Sequence, residues 1–156
     1  MKYPPYLKYG DKIAIVSPAG KIEKSIVEHA AQMLSDQGFV VEIGKHTFDR
    51  EGLFAGDDIH RASDMQRALD DKKVKAIICS RGWYGSLRTF NLLNWSAFFK
   101  NPKWLVGFSD ISVFHAYLTR HGIASIHGVM PAFFEKDGYT TVSFLRTLDL
   151  LKGTVP

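Results

Sequence analysis

Short apolar runs that alternate with helical patterns constrain this chain more than any other feature of its sequence. Each run has the length of a strand, and apolar residues in the longer intervening segments recur every three or four positions, as on one face of a helix. The runs lie at residues 12–17, 39–43, 74–79, 104–108 and 124–126. Strands that alternate with helices form βαβ units with right-handed crossovers. The pattern therefore predicts an α/β domain, a flavodoxin-like open parallel sheet with helices on both faces.

The same spacing predicts where individual helices begin and what they bury. One helix should begin at Asp57 or Asp58 and turn Ile59 towards the core. Ser86 is expected to cap a short helix whose apolar face includes Leu87, because serine accepts a hydrogen bond at that position. A further helix is expected to open at Asp110.

Composition narrows the class of protein. The 156 residues include one cysteine, carry a net charge of +4 and are 46% hydrophobic, which suits one globular domain without disulfides. We expect one α/β domain over residues 1–151 and, at 152–156, the start of a linker to a further part of the protein. No apolar run approaches the roughly 20 residues that span a bilayer, and the first residues lack the apolar core of a signal peptide. These observations predict a cytoplasmic protein that does not bind membranes, and the scattered basic residues predict no nucleic-acid partner.

Three of the turns that follow strands are candidate binding loops, because ligands of open parallel sheets bind at the carboxyl ends of the strands. The turn at 17–20 lacks the glycine pattern of a phosphate loop, which argues against a nucleotide cofactor. The turn at 81–85 contains Gly82 and Gly85, which allow a ligand to approach the backbone closely. Trp83 and Tyr84 in this turn could form the wall of a cleft, or could pack on the next helix.

The third turn places Ser109 between an apolar strand and a helix. This order is that of a nucleophile elbow, in which the hydroxyl projects above the sheet and N–H groups at the helix start stabilise an oxyanion. The sequence is not a complete G-x-S-x-G motif, because Ile111 occupies the last glycine position. The alternative is that Ser109 or Asp110 only caps the helix.

A serine nucleophile also needs a base. Of the six histidines, His127 alone follows a predicted strand and could reach the cleft, whereas His115 lies within the helix after Ser109. No histidine has an obvious carboxylate to orient it. No metal-ligand spacing is recognisable, so we expect no metal and no other cofactor.

Four segments in a fixed order resemble the N-terminal half of the LD-carboxypeptidases, the muramoyltetrapeptide carboxypeptidases. The segments are GDKIAIVSPAG, GDDIHRASDMQRALDDKKVKAIICSRGWYGSLR, NPKWLVGFSDISVFHAYL and IHGVM. The resemblance implies a cytoplasmic serine peptidase without metal, which removes the terminal D-alanine from a murein tetrapeptide during peptidoglycan recycling.

The resemblance also implies roles for individual residues. Ser109 would be the catalytic nucleophile, and the backbone N–H groups of Asp110 and Trp83 would form the oxyanion hole. Gly82, Tyr84, Gly85 and His127 would line the substrate pocket. Trp83 stands where the family usually has a second glycine, so its bulk should reshape that pocket. Val129 also departs from the usual H-G-P-M.

The Glu and His that complete the family's triad lie in a C-terminal domain. The resemblance therefore implies that this chain alone is inactive and that its partners are a murein peptide and that second domain; it could also pair with a second copy. One alternative is a related serine peptidase that cleaves another peptide or acyl amide, and another is a non-catalytic flavodoxin-like binding domain. A domain that meets a partner should expose an aromatic patch near Trp83, Tyr84, Phe133 and Phe134.

Overall fold

The computed structural model, which describes residues 1–154, contains a five-stranded parallel sheet in the order β2-β1-β3-β4-β5. The strands are β1 (Lys12–Val16), β2 (Val40–Ile43), β3 (Val74–Cys79), β4 (Trp104–Gly107) and β5 (Ile126–His127). The helices are α1 (Lys24–Asp36), α2 (Asp58–Asp70), α3 (Ser86–Phe90), α4 (Ser96–Lys100), α5 (Ser112–Arg120) and α6 (Val142–Lys152). A short antiparallel pair, β6 (Glu135–Lys136) and β7 (Tyr139–Thr140), precedes α6. The predicted flavodoxin-like α/β fold is confirmed, because this strand order is the flavodoxin-like one.

Two apolar layers lie on opposite faces of the sheet because side chains alternate along each strand. Ile13 and Ile15 of β1 point into one layer, which α1 and α6 cover. Ala14 and Val16 point into the other, which α2 and α5 cover. Helices on both faces explain why the central strands are apolar at nearly every position.

Helix α2 buries Ala62, Met65 and Leu69 at the predicted helical spacing, but not Ile59. Ile59 is 65% exposed, whereas Arg61 is fully buried beside Ala62 and Met65. The start of α2 is as predicted, since Asp57 accepts a hydrogen bond from the backbone N–H of His60. The predicted orientation of Ile59 is wrong because the guanidinium of Arg61 takes the inward position.

The short helix α3 also differs from its prediction. Leu87 is 57% exposed, and Ser86 is the first residue of the helix and makes no capping hydrogen bond through its side chain. Gly85 stands at the cap position instead, with a positive φ of 121° that glycine adopts readily. The predicted serine cap is therefore wrong.

The C-terminal helix α6 extends one residue into the predicted linker. Lys152 is helical, and Gly153 ends the helix in the left-handed conformation at φ 68°. A side chain at position 153 would clash with the ring of Tyr6, 2.6 Å from the place of its Cβ. Residues 155–156 of the predicted linker lie outside the described residues. Among residues 1–154, no helix combines the length and apolarity needed to cross a bilayer.

Candidate functional site

Ser109 lies in a strained turn that follows β4, an interior strand of the sheet. Its φ of 63° is in the left-handed region, which non-glycine residues adopt only uncommonly, and its side chain is exposed. The chain bends back so closely that a Cβ on Gly107 would lie 2.7 Å from Cγ2 of Ile111. Backbone strain of this kind is concentrated at functional sites.

The capping interpretation of Ser109 and Asp110 is wrong. The single 3-10 turn at Ser109–Ile111 and the helix α5 that follows both begin without a side-chain cap. The carboxylate of Asp110 points elsewhere, since its Oδ2 accepts a 2.8 Å hydrogen bond from the backbone N–H of Ser86. Asp110 therefore ties the turn after β4 to the start of α3.

The turn at 81–85 packs against Ser109. Gly82 is buried, and a Cβ at that position would lie 3.2 Å from both the Phe108 carbonyl oxygen and the Ser109 Cβ. The Gly82 carbonyl accepts a 2.9 Å hydrogen bond from the backbone N–H of Gly20. The turns that follow β1, β3 and β4 thus meet at one edge of the sheet, around Ser109.

The backbone N–H groups expected to form the oxyanion hole lie at this junction. The amide nitrogen of Asp110 lies 3.4 Å from the position that a Cβ on Gly82 would occupy. The Asp110 amide is therefore next to Gly82, the residue that precedes Trp83. Trp83 also has a positive φ, 85°. A bulky residue in that region is strained, which gives a physical reason for the glycine that the family usually has there.

Exposed aromatic side chains lie in and beside these turns. Trp83 and Tyr84 are 60% and 58% exposed, and the ring of Tyr84 packs on Phe54 at 5.8 Å between centroids. Phe133 is also half exposed, as the predicted patch requires. Phe134 is buried instead and stacks on Phe144 at 4.3 Å, so its place in the patch is wrong.

His127 ends β5 and lines a cleft of about 380 Å³ together with Phe108, Val129 and Arg146. Its ring is exposed and lies 6.1 Å from that of Phe108. Within residues 1–154, no hydrogen bond joins a histidine to the Ser109 hydroxyl. The described residues therefore bring together Ser109 and the turn at 81–85, but hold no base in contact with that serine.

His115 has a structural contact with the strand that carries the turn. Its Nε2 hydrogen-bonds the Gly107 carbonyl at 2.9 Å, and its Nδ1 hydrogen-bonds the Ser125 hydroxyl at 2.8 Å. A carbonyl can only accept, so Nε2 carries the proton and Nδ1 accepts from the hydroxyl. Burial lowers the pKa of His115. The hydrogen bond to the Gly107 carbonyl raises this pKa in part, and the nearby His127 lowers it further.

This pKa predicts acid sensitivity. The unfolded chain binds more protons than the folded one between the lowered pKa and about 6.5, so stability should fall as the pH falls through that window. The loss can reach about 1.4 kcal/mol per pH unit. In His115→Gln the amide can still donate to Gly107, and urea titrations from pH 7 to pH 5 should show a flatter decline in the free energy of unfolding. Equal slopes in both proteins would contradict this role for His115.

Strain at Ser109 predicts a stability difference between two substitutions. Ser109→Gly should raise the free energy of unfolding by about 1 kcal/mol, because glycine removes the cost of the left-handed conformation. Ser109→Ala keeps a Cβ and should leave stability nearly unchanged. Urea denaturation of both variants measures the difference, and an alanine variant as stable as the glycine variant would show that the turn is not strained.

Two buried polar residues, Arg61 and Thr89, make contacts that the sequence patterns did not indicate. The buried guanidinium of Arg61 contacts the Gly56 carbonyl, the Asp58 carboxylate and the Thr89 hydroxyl. Thr89 in turn donates a 2.7 Å hydrogen bond to the Pro18 carbonyl. At helical spacing the neighbours of Arg61 are Asp57, Asp58, Asp64 and Met65, so periodicity gave no sign that it is buried.

Comparisons with known proteins agree with this architecture. Residues 13–128 match the family model of the LD-carboxypeptidase N-terminal domain. A Streptomyces coelicolor protein is 37% identical over 157 residues, which cover 97% of this chain and 49% of the relative. The murein tetrapeptide carboxypeptidase of Pseudomonas aeruginosa is 33% identical over 118 residues, covering 75% and 38% of the two chains.

Solved structures give the same result. An MccF-like protein from Bacillus anthracis superposes with a TM-score of 0.86 at 26% identity, covering 97% of this chain and 47% of that one. The muramoyltetrapeptide carboxypeptidase of Oxalobacter formigenes has a TM-score of 0.79 at 28% identity, covering 89% and 47%. The chain spans about half the length of most of these relatives. It therefore belongs to the LD-carboxypeptidase family and corresponds to the N-terminal domain of that family.

Proposed function

We propose that this chain supplies the nucleophile, Ser109, of a serine-type LD-carboxypeptidase. One observation carries the proposal: an exposed serine with φ 63° follows the interior strand β4 and packs against the Gly82 turn. A serine in this conformation directs its hydroxyl away from the sheet, where a substrate carbonyl can approach it.

The proposed reaction is acyl transfer through a covalent intermediate. The Ser109 hydroxyl attacks the carbonyl carbon of the terminal peptide bond, and the N–H groups of Asp110 and Trp83 donate hydrogen bonds to the resulting oxyanion. A base must take the hydroxyl proton and return it to the leaving amine. The family resemblance places the Glu and His for this task in the second domain, so the 156-residue chain alone should be inactive.

The proposed substrate is a murein tetrapeptide, from which the enzyme releases D-alanine. The names of the Pseudomonas aeruginosa and Oxalobacter formigenes relatives support this substrate. Gly82, Tyr84, Gly85 and His127 would line its pocket. Recycling of such peptides would place the protein in the cytoplasm.

A second candidate is hydrolysis of a different peptide or acyl amide. Trp83 favours it, because its large exposed side chain stands in the pocket wall where the family usually has glycine. Turnover of the complete gene product on murein tetrapeptides and on acidic peptide conjugates separates the two. Tetrapeptide turnover without conjugate turnover supports the first candidate, and the reverse supports the second.

Labelling with a fluorophosphonate tests the nucleophile directly, since this probe reacts with activated serines. Peptide mass spectrometry of the labelled complete gene product should find one label, on Ser109, and none on the nearby exposed Ser112. The 156-residue chain should label much more slowly. A label on another serine, or none, would contradict the proposal and favour a non-catalytic binding domain.

A further inference from the structure

Two imidazoles and a carboxylate converge outside the crevice around Ser109. His46 and Asp49 lie in the loop between β2 and α2, and His60 lies in the first turn of α2. The Nδ1 atoms of both histidines are 2.9 Å from the same oxygen, Oδ2 of Asp49. The two rings stack with their centroids 3.9 Å apart. One potential ligand atom from each residue lies within 4.8 Å of the other two.

This geometry suits a transition-metal ion. Two ligand atoms bonded to a tetrahedral ion at about 2.1 Å lie about 3.4 Å apart. The two observed nitrogen–oxygen distances of 2.9 Å are hydrogen bonds. The three ligand atoms therefore need to move apart by only about 0.5 Å to admit an ion. Imidazole nitrogens with one carboxylate oxygen form a ligand set that zinc, nickel, cobalt and copper accept, whereas magnesium and calcium prefer oxygen alone.

The surroundings hold the ligands in place and leave them accessible. The backbone N–H of His46 donates a 2.7 Å hydrogen bond to Oδ2 of the buried Asp64, and Asp57 accepts from the backbone N–H of His60 at 2.7 Å. The other oxygen of Asp64, Oδ1, is buried without a hydrogen-bond partner among the described residues, so a buried carboxylate supports one of the ligands. The side chains of His46, Asp49 and His60 are 17%, 37% and 45% exposed, which lets an ion enter from solvent and keep water in its remaining positions.

We propose that His46, Asp49 and His60 bind one divalent transition-metal ion of the zinc class at a structural site. The ion fastens the loop that follows β2 to the first turn of α2. The site does not take part in the chemistry of Ser109. It acts on the crevice through the loop, because Phe54 of the same loop packs under Tyr84 and within 3.1 Å of the place of a Cβ on Gly85.

Metal titration of the purified 156-residue chain tests this site. After treatment with a chelator, the chain should bind one Zn²⁺ per molecule in calorimetry, and Co²⁺ should produce the visible absorption bands of a protein-bound ion. Saturating Zn²⁺ should raise the thermal denaturation midpoint. His60→Gln and Asp49→Asn should each weaken Zn²⁺ binding at least about tenfold, since ligand-shell changes have effects of that size or larger.

A matched control is His29→Gln, because His29 also hydrogen-bonds a carboxylate, Glu135 at 3.0 Å, but in an exposed pair with one histidine. This variant should bind Zn²⁺ as the parent chain does. Circular dichroism of each variant shows whether it is folded, and Asp49→Asn provides a second test if His60→Gln is not. Absence of stoichiometric Zn²⁺ binding, or equal Zn²⁺ affinity in folded His60→Gln and the parent chain, would overturn the proposal. The three side chains would then form a hydrogen-bonded cluster and no metal site.

Discussion

Replacing Ser109 with alanine should lower D-alanine release by the complete gene product by about a millionfold, the size of effect seen when a serine hydrolase loses its nucleophile. The reason is chemical, because alanine offers no atom to form the acyl intermediate, and the remaining groups can only bind substrate and stabilise charge. Substrate binding should change little. A coupled assay for D-alanine under single-turnover conditions measures the loss, and equilibrium binding of the tetrapeptide to the variant separates chemistry from affinity.

Ser112→Ala is the matched control for this experiment. Ser112 is exposed, begins α5 and lies three residues from Ser109, so the substitution removes the same hydroxyl group from the same segment. Its effect on turnover should stay within about twofold, as for most exposed positions away from a special contact. If Ser109→Ala retained D-alanine release comparable to that of the control, Ser109 would not be the nucleophile.

The strands and the meeting of the turns around Ser109 were predictable because they depend on local patterns. A buried parallel strand needs a continuous apolar run, and a glycine-rich turn must follow where the chain leaves the sheet. β3 at Val74–Cys79 has the predicted bounds, and the turns after β3 and β4 meet as the sheet topology requires. The strain at Ser109 was not predictable, because a serine gives no sign of a positive φ.

The contacts made by polar side chains were the least predictable part. Periodicity counts an arginine as solvent-exposed, yet Arg61 is buried because three groups accept its hydrogen bonds, two of them just before it in the chain and the third in α3. His46 and Asp49 are 14 and 11 residues from His60, and no recognised ligand spacing includes both intervals. Only the fold of the loop after β2 brings these side chains together.

Arg61→Met should lower the free energy of unfolding by about 3 kcal/mol, near the lower end of the cost of breaking a buried ionic contact. Methionine fills a similar volume, so the loss would come from polar partners left without a donor rather than from a cavity. The affected acceptors are the Gly56 carbonyl and the Thr89 hydroxyl, and the guanidinium also lies 4.8 Å over the ring of Phe54. Urea denaturation measures the change.

Arg88→Met controls for the shared carboxylate. Arg88 donates hydrogen bonds of 2.7–2.9 Å to both carboxylate oxygens of Asp58, and its guanidinium also lies over the ring of Phe54. Its side chain, however, is 52% exposed. Water can replace its contacts, so this variant should lose far less stability than Arg61→Met. Equal losses would show that the ion pair with Asp58 dominates. A larger loss of stability in Arg61→Met would instead show that the hydrogen bonds of Arg61 to Gly56 and Thr89 hold the loop after β2 and α3 together beneath Tyr84. These hydrogen bonds would then support the protein surface around Ser109.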